Sequence, residues 1–473
     1  MNYILFYPDE MRAESLGCYG HPLVQTPNID RLAQEGTLFE NNYSQHPVCV
    51  ASRCALVTGW YPHVMGYRTL RYFVDETKPN FIRQLRRAGY ATCLAHKNHV
   101  FTDEAMKESF DEEVSVPWFG GARMDAEPGC DLYDMIFDAS PDEAEPQQAD
   151  SIAVAGGIDF MRRQVAAGKP FFLFQSLIMP HPPYTIIRKF YDMYDPADVD
   201  IRSLSWLEGK PEFYKLIRHY RKMEMREEEL LRRMNAIYLG MNSYIDMLLG
   251  RVVDALKELG VYDDTTIILC ADHGDWAGDA GLVEKWPSAM DDMLTRVPLI
   301  IRRPGCPGGQ RVKELTQSID IFPTIFDCEN LQIPWDQFGI SLKPQLEGAP
   351  GDPDRIVWCE GGYDTREPQC FEGGAWSAMF MKPGAIYYPK MIQQQEIPES
   401  VCRTVMLREK RYKLNIRTNG EHELYDMLED PQEYRNLYSD PACAGIISEL
   451  REKMLLWMIN TSDVVPWENH VSL

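Results

Sequence analysis

No stretch of this 473-residue chain is apolar for long enough to cross a membrane. The longest apolar runs, such as TTIILCA (265–271), are strand length, far below the ~20 residues a spanning helix needs. The start, MNYILFYPDE, carries no basic n-region, long apolar stretch or small-residue cleavage site, so no signal peptide is read there. Basic charge is scarce as well: 48 Lys and Arg stand against 71 Asp and Glu, a formal net charge of −23. That balance argues against nucleic acid and anionic membrane as partners, since both attract basic surfaces. A small anionic ligand in a local basic pocket stays open. The twelve cysteines lack the paired spacings of a zinc knuckle or a small disulfide framework. Reduced cysteines in a cytoplasmic protein are the expectation, with a periplasmic or secreted location the alternative if a leader has been trimmed.

What is there is an ordinary globular composition, 45% hydrophobic and 25% charged, on a chain long enough to bury a large core. Short apolar runs read as buried strands: NYILFYP (2–8), ATCLAHK (91–97), PFFLFQSLI (170–178), TTIILCAD (265–272) and VPLIIRR (297–303). Helix candidates lie between them: NIDRLAQEG with Asn28 as cap, NFIRQLRRAGY, the segment that starts after Cys49, and a long one from about 226 to 259. The alternation predicts an α/β fold with a large, mostly parallel sheet flanked by helices. The acidic, turn-rich stretch 102–150 reads as a surface excursion. Pro, Gly and Asp crowd at EGAPGDPD (347–354), which places a boundary between a catalytic unit, 1–350, and a smaller C-terminal α+β unit, 351–473. In the latter, IVWCEGG, AIYYPKMI, RTVMLREKRYKLNIRT and HELYDM read as antiparallel strands, closed by a helix around 443–460.

Right-handed crossovers bring the carboxyl ends of parallel strands to one edge. Polar residues stand at those ends: Asp9 and Glu10, Lys97 and His99, His181, then Asp272 and His273, with Lys285 just beyond. Carboxylates with a histidine suit a hard divalent cation, and lysines with histidines suit an anion with charge developing on its oxygens. Taken singly, each has a plain reading as a cap, turn or solvated residue, Asp275 and Asp279 being left as loop residues. The joint pattern at successive strand ends is what favours function.

The stretch HPVCVASRCALVTG (46–59) then becomes specific, because Cys49-x-Ala51-Ser52-Arg53 followed by Leu56-x-Thr58-Gly59 resembles the sulfatase signature. DEMRAESLGCYG, TPNIDRLAQEG, the Lys97-x-His99 pair, PHPPY around His181, ADHGD, and Lys285 ahead of Arg296-Val297-Pro298 follow in the family's order, from residue 3 to about 305. ELYDMLEDPQEYRNL (423–437) is similar to the family's C-terminal tail. The resemblance is to formylglycine-dependent sulfatases of the alkaline phosphatase superfamily. The ADHGD form is similar to the branch with iduronate-2-sulfatase, choline sulfatase and phosphonate monoester hydrolases.

The resemblance implies that Cys49 is converted by a maturation enzyme to Cα-formylglycine (3-oxoalanine). A thiolate attacking sulfur would leave a stable adduct, whereas an aldehyde hydrate offers one hydroxyl to attack and a second to expel sulfate. It further implies a divalent cation on Asp9, Glu10, Asp272, His273 and the modified Cys49. Calcium is the family expectation, magnesium or manganese the alternatives, and Glu10 departs from the more usual aspartate. Arg53 is implied to hold the hydrate and neutralise the oxyanion, and Lys97 and Lys285 to bind sulfate oxygens. His99 is implied to orient the nucleophile or act as base, and His181 to bind the substrate and protonate the leaving group; on sequence grounds the two roles are exchangeable. Arg68 and Arg71 in GYRTLRYF, the 102–150 excursion and the 361–374 loop are candidates for shaping the substrate pocket. Trp60, where arginine is common, and Ala280 in GDAGL depart from the pattern, the latter implying a changed subsite or more space by the leaving group. Cys54 reads as a packing residue. The expected ligand is a small or carbohydrate sulfate ester, with a homo-oligomer left open. The alternatives are a phosphonate or phosphate ester hydrolase with the same machinery and, in another class, a non-catalytic sulfated-glycan binder. A two-zinc phosphatase lacks its second ligand set.

Overall fold

The computed structural model describes residues 1–116, 135–364, 366–367 and 383–464. Eight strands form one twisted sheet in the order β4-β3-β5-β1-β6-β7-β2-β8. They are β1 (Asn2–Asp9), β2 (Thr37–Tyr43), β3 (Ala91–His96), β4 (Glu112–Val114), β5 (Phe171–Pro180), β6 (Thr265–Cys270), β7 (Arg296–Arg302) and β8 (Gln310–Gln317). All pair in parallel except β7, which runs antiparallel to both β6 and β2. The expected mostly parallel sheet is therefore present, with VPLIIRR as its reversed member. β2 and β8 carry no such signal in the sequence, because TLFENNY and QRVKELTQ are too polar to stand out as buried runs. The central strands β1, β5 and β6 are buried on both faces, which explains their unbroken apolar character.

Helices pack against the sheet, among them α1 (Pro27–Glu35), α2 (Cys49–Thr58), α3 (Ala149–Ala166), α4 (Glu228–Glu258) and α5 (Ile321–Cys328). Within the 102–150 stretch, the described part contributes a short helix and the edge strand β4 rather than only surface loop, and 117–134 lies outside the described residues. The second sheet is antiparallel, in the order β12-β11-β10-β9, from β9 (Val357–Gly361), β10 (Thr404–Arg408), β11 (Tyr412–Arg417) and β12 (Glu423–Asp426). AIYYPKMI is not a strand. Its second half opens helix α6 (Tyr388–Glu396), with Pro389 in the first turn where its missing N–H costs nothing. Helix α7 (Ala444–Thr461) closes this part by packing Trp457 face to face on Trp358 of β9, ring centroids 4.5 Å apart. Among the described residues, no helix is long and apolar enough to cross a membrane.

Asn28 does not cap α1. It is the second residue of the helix, and a carboxylate from α4 takes the capping role: Asp246 accepts the N–H groups of Asn28 and Ile29 at 2.8 and 2.7 Å, and the Asn28 side chain at 2.8 Å. Burial pushes the Asp246 carboxyl from 3.8 up to about 6 despite these donors. The folded state therefore favours the neutral acid. The stability Asp246 contributes is full below pH ~4 and is lost as pH rises through 6, roughly 3 kcal/mol for a two-unit shift. Urea unfolding from pH 4.5 to 7 should show wild type losing about 2 kcal/mol of this relative to Asp246→Asn, the rest having gone below pH 4.5. A pH-independent difference between the two would refute this reading.

Candidate active site

The crossovers place the ends of β1, β3, β5 and β6 together, and α2 enters the same edge by its N-terminus. Cys49 is the first residue of α2, buried, with its Sγ 3.5 Å from Nδ1 of His99. The rest of the signature is explained by packing. Ser52 donates to the carbonyl of Asp272 at 2.7 Å, tying α2 to the loop after β6. Gly59 ends the helix at φ +74, and a side chain there would run into Phe322 of α5. Gly274 of ADHGD is demanded in the same way, since a Cβ would lie 1.9 Å from the carbonyl oxygen of Met293.

Arg53, one turn below Cys49, is fully buried with all three guanidinium nitrogens engaged. Nε donates to Asp272 at 2.8 Å, Nη2 to Asp9 at 3.0 Å and Nη1 to Ser176 at 2.6 Å. The plane of Tyr7 lies beside it, 5.1 Å from ring centroid to guanidinium carbon. Lys97 donates to the same Asp9 oxygen. Burial alone would raise the Asp9 carboxyl, but Lys97 and Arg53 outweigh it and hold it well below the usual range. On the other side, Lys285 donates to Glu10, and its Nζ lies 3.1 Å from Nε2 of His181, which in turn lies 3.1 Å from Glu10. Burial, with the charges of Lys97 for His99 and Lys285 for His181, keeps both imidazoles well below the ordinary histidine range. His99 thus sits at Cys49 and His181 beside Lys285, an asymmetry the sequence could not supply.

The acidic side chains have the makings of a cation site. Asp9, Asp272 and His273 converge with ligand atoms within 4.8 Å of one another, and Asp9, Glu10 and His181 do likewise. Among the described residues, Asp9 Oδ1, Glu10 Oε2, His273 Nε2 and Asp275 Oδ2 are buried without a hydrogen-bond partner. Burial and the neighbouring Asp9 charge push Asp272 up to about 6, and burial raises Glu10 and Asp275 too. Orphaned acceptors and crowded carboxyls in one place are what a hard divalent ion relieves. The donor set therefore fits such an ion. Glu10 adopts a left-handed backbone, φ +66, held by Tyr238 of α4, whose hydroxyl donates to the Glu10 carbonyl at 2.6 Å.

Several members of this constellation were not singled out from the sequence. Asp275 is no plain loop residue: buried beside Glu10, it accepts from the Tyr184 hydroxyl at 2.7 Å. Asp279 is buried as well, accepting from Arg12 at 2.6 Å. Glu284 accepts from Lys285 at 3.2 Å, from Lys390 of α6 at 3.2 Å and from Arg221 at 2.9 Å. Tyr387, just before α6, is buried near enough for Lys285 and Glu10 to act on its hydroxyl. Asp275 lay inside the ADHGD motif and Glu284 beside Lys285, so proximity could have found them. Arg221, Tyr387 and Lys390 arrive from distant segments with no local signal.

Other candidates have different surroundings. Arg68 lines a neighbouring cavity, and Arg71 is half-buried with its N–H on the Thr69 hydroxyl. Of the 361–374 loop, 365 and 368–374 lie outside the described residues. Ala280 is fully buried in an apolar cluster with Trp206, Trp276 and Leu282, so the missing polar side chain serves packing rather than a leaving-group subsite. Trp60 donates its indole N–H to the carbonyl of Asp336 at 2.7 Å.

Comparison with known proteins gives the family and the fold. The sulfatase family profile matches residues 1–331, and the profile for the C-terminal part of N-sulphoglucosamine sulphohydrolase matches 377–459. A multifunctional alkaline phosphatase superfamily protein of Trinickia caryophylli is 27% identical over 97% of this chain and 93% of its own. The choline-sulfatase of Rhizobium meliloti is 25% identical over 93% and 83%. The phosphonate monoester hydrolase of Agrobacterium radiobacter shares the fold, with a TM-score of 0.77 at 23% identity over 97% of this chain and 96% of that one. With the profile spanning well over half its length and the motif residues gathered at one sheet edge, the chain belongs to the sulfatase family of the alkaline phosphatase superfamily and is a sulfatase enzyme.

Proposed function

We propose that the chain hydrolyses a sulfate monoester through a formylglycine made from Cys49 by a maturation enzyme, with a divalent cation held by Asp9, Glu10, Asp272 and His273. The observation that carries this is the placement of Cys49 at the first residue of α2, with His99 at its Sγ and the two carboxylates braced by Arg53 behind it. When bound, the cation would supply Lewis-acid polarisation of the sulfate oxygens and a lowered pKa for the attacking group. As a hydrate, the matured residue would supply both the attacking hydroxyl and the hydroxyl whose deprotonation releases sulfate.

The chain's own residues do the remainder. Lys97, held on Asp9, and Lys285, held on Glu10, supply two ammonium groups for the anion. His99, with Nδ1 at the nucleophile, orients it and accepts its proton there. His181 lies with Nδ1 on the Pro182 carbonyl and Nε2 facing Lys285, so the departing oxygen takes its proton from the Lys285 ammonium, relayed through Nε2. Arg53 touches Asp9 and Asp272 rather than the nucleophile, so its role is to position the carboxylates and offset their charge. The α2 N-terminus, which has no side-chain cap from Val48, adds its first N–H groups and the positive end of the helix dipole.

Phosphonate esters share the tetrahedral shape, and the likeness to a multifunctional relative and a phosphonate hydrolase keeps that substrate class in the test. Rates on matched 4-nitrophenyl sulfate and phenylphosphonate esters should favour sulfate at least tenfold in kcat/KM. A reversed ratio makes the chain a phosphonate hydrolase of the same machinery, and no turnover of either by matured protein sinks the catalytic reading.

A further inference from the structure

β9 to β11, α7 and the Arg68 loop line an open cavity of about 550 Å³, room for a sugar-sized group, and His46, three residues before Cys49, is near enough to feel the charges of both Arg68 and His273. Its lining runs against the charge of the chain. Four arginines, Arg68, Arg403, Arg417 and Arg451, face a single lining carboxylate among the described residues, Glu360. Glu360 is already committed to His63, with Oε1 2.5 Å from Nδ1. Arg417 is likewise satisfied by Glu423 at 2.5 Å and by the Ser288 carbonyl. Arg68 and Arg403 are different. They are near enough that Arg68 opposes the charge on Arg403, and the Nε of Arg403 is buried without a partner among the described residues. What joins them is one loop carboxylate: Glu367 contacts Arg403 and lies 3.9 Å from Arg68. The fork formed by the two guanidiniums is thus already shown to accept a carboxylate.

The cavity is mechanically part of the site. The N–H of Glu360 donates to the carbonyl of Gln45 at 2.9 Å, four residues before Cys49, and Arg417 donates to Ser288, three residues after Lys285. We infer that this cavity is a second anion subsite, in which Arg68 and Arg403 take a carboxylate or a second sulfate of the substrate in place of Glu367. The substrate class is then a dianionic sulfate ester, such as an acidic saccharide, an inference that rests on the sulfatase reading above.

The test uses a disaccharide bearing one sulfate ester and one uronate, its uronate methyl ester, and a disulfated counterpart without uronate. Wild type should prefer the uronate or the disulfate over the methyl ester by about tenfold or more in kcat/KM, the scale of one charge-assisted pair. Which of the two it prefers identifies the second anion. Arg403→Gln and Arg68→Gln should each bring the ratio close to one. A wild-type ratio near one for both anions, or a ratio that survives in both variants, overturns the proposal. If no ester is cleaved, the sulfatase reading falls instead, and calorimetric titration of the sulfate-free uronate disaccharide decides the cavity. Binding weakened at least tenfold by Arg403→Gln upholds it; no binding to wild type overturns it.

Discussion

Replacing Cys49 with alanine should cut turnover of a sulfate ester by about 10⁵-fold, the scale seen when a covalent nucleophile is deleted. Replacing Cys54, five residues on, should leave kcat/KM within about twofold and cost only about 1–2 kcal/mol of stability from the small cavity left. The two thiols differ by position on one helix. Cys49 stands at its mouth against His99, whereas Cys54 is fully buried, its thiol directed to the carbonyls of Tyr72 and Val100 at 3.7 and 3.9 Å. Burial pushes both thiols above the ordinary range, so neither is a ready thiolate at neutral pH, and an unmodified Cys49 is a poor nucleophile. Peptide mass spectrometry across 46–60, on protein made with a maturation enzyme, should find the aldehyde at Cys49 alone. Full activity in protein whose Cys49 is never converted would refute the formylglycine mechanism. Loss of activity in a well-folded Cys54→Ala would reverse the assignment of the two cysteines.

The site was legible where chemistry follows directly from strand ends. Asp9, Glu10, Lys97, His181, Asp272 and His273 all close or follow a buried strand, and parallel topology does the rest. Legibility failed where a role is supplied from far away. The cap of α1 comes from Asp246, more than two hundred residues later, so a local cap at Asn28 was the natural but wrong reading. AIYYPKMI alternates enough apolar and aromatic residues to pass for a strand, yet it opens a helix that delivers Lys390 onto Glu284 and the Lys285 carbonyl. Polar strands such as β8 owe their form to pairing with β2 rather than to their own pattern. The separation of His99 from His181 is likewise a matter of three-dimensional placement, because each follows its own strand with equal right to either role.

Arg53→Met should destabilise the fold by roughly 3–5 kcal/mol and reduce kcat/KM at least about 10³-fold, because it removes one partner of a buried charge cluster. Asp9 would keep Lys97, and Asp272 would keep the N–H groups of Glu10 and His273 at 3.1 and 2.9 Å. Neither carboxylate is exposed to water, so the uncompensated charge has no solvent to fall back on. The same change makes the site more negative, and that has a second consequence. A divalent cation that binds only the folded state stabilises it by RT ln(1 + [L]/Kd), about 2.7 kcal/mol at a hundredfold excess over Kd. With Arg53 gone, the cation must offset charge the guanidinium had offset, so affinity rises and the stabilising increment grows. Thermal unfolding of wild type and Arg53→Met, each in chelator and in calcium, measures this without any assay of activity. The expected pattern is a positive calcium shift in wild type and a larger one in the variant, recovering part of the lost stability. No calcium shift in either protein would mean that Asp9 and Asp272 are held by Arg53 and Lys97 alone, and that the orphaned oxygens at this sheet edge are not a calcium site.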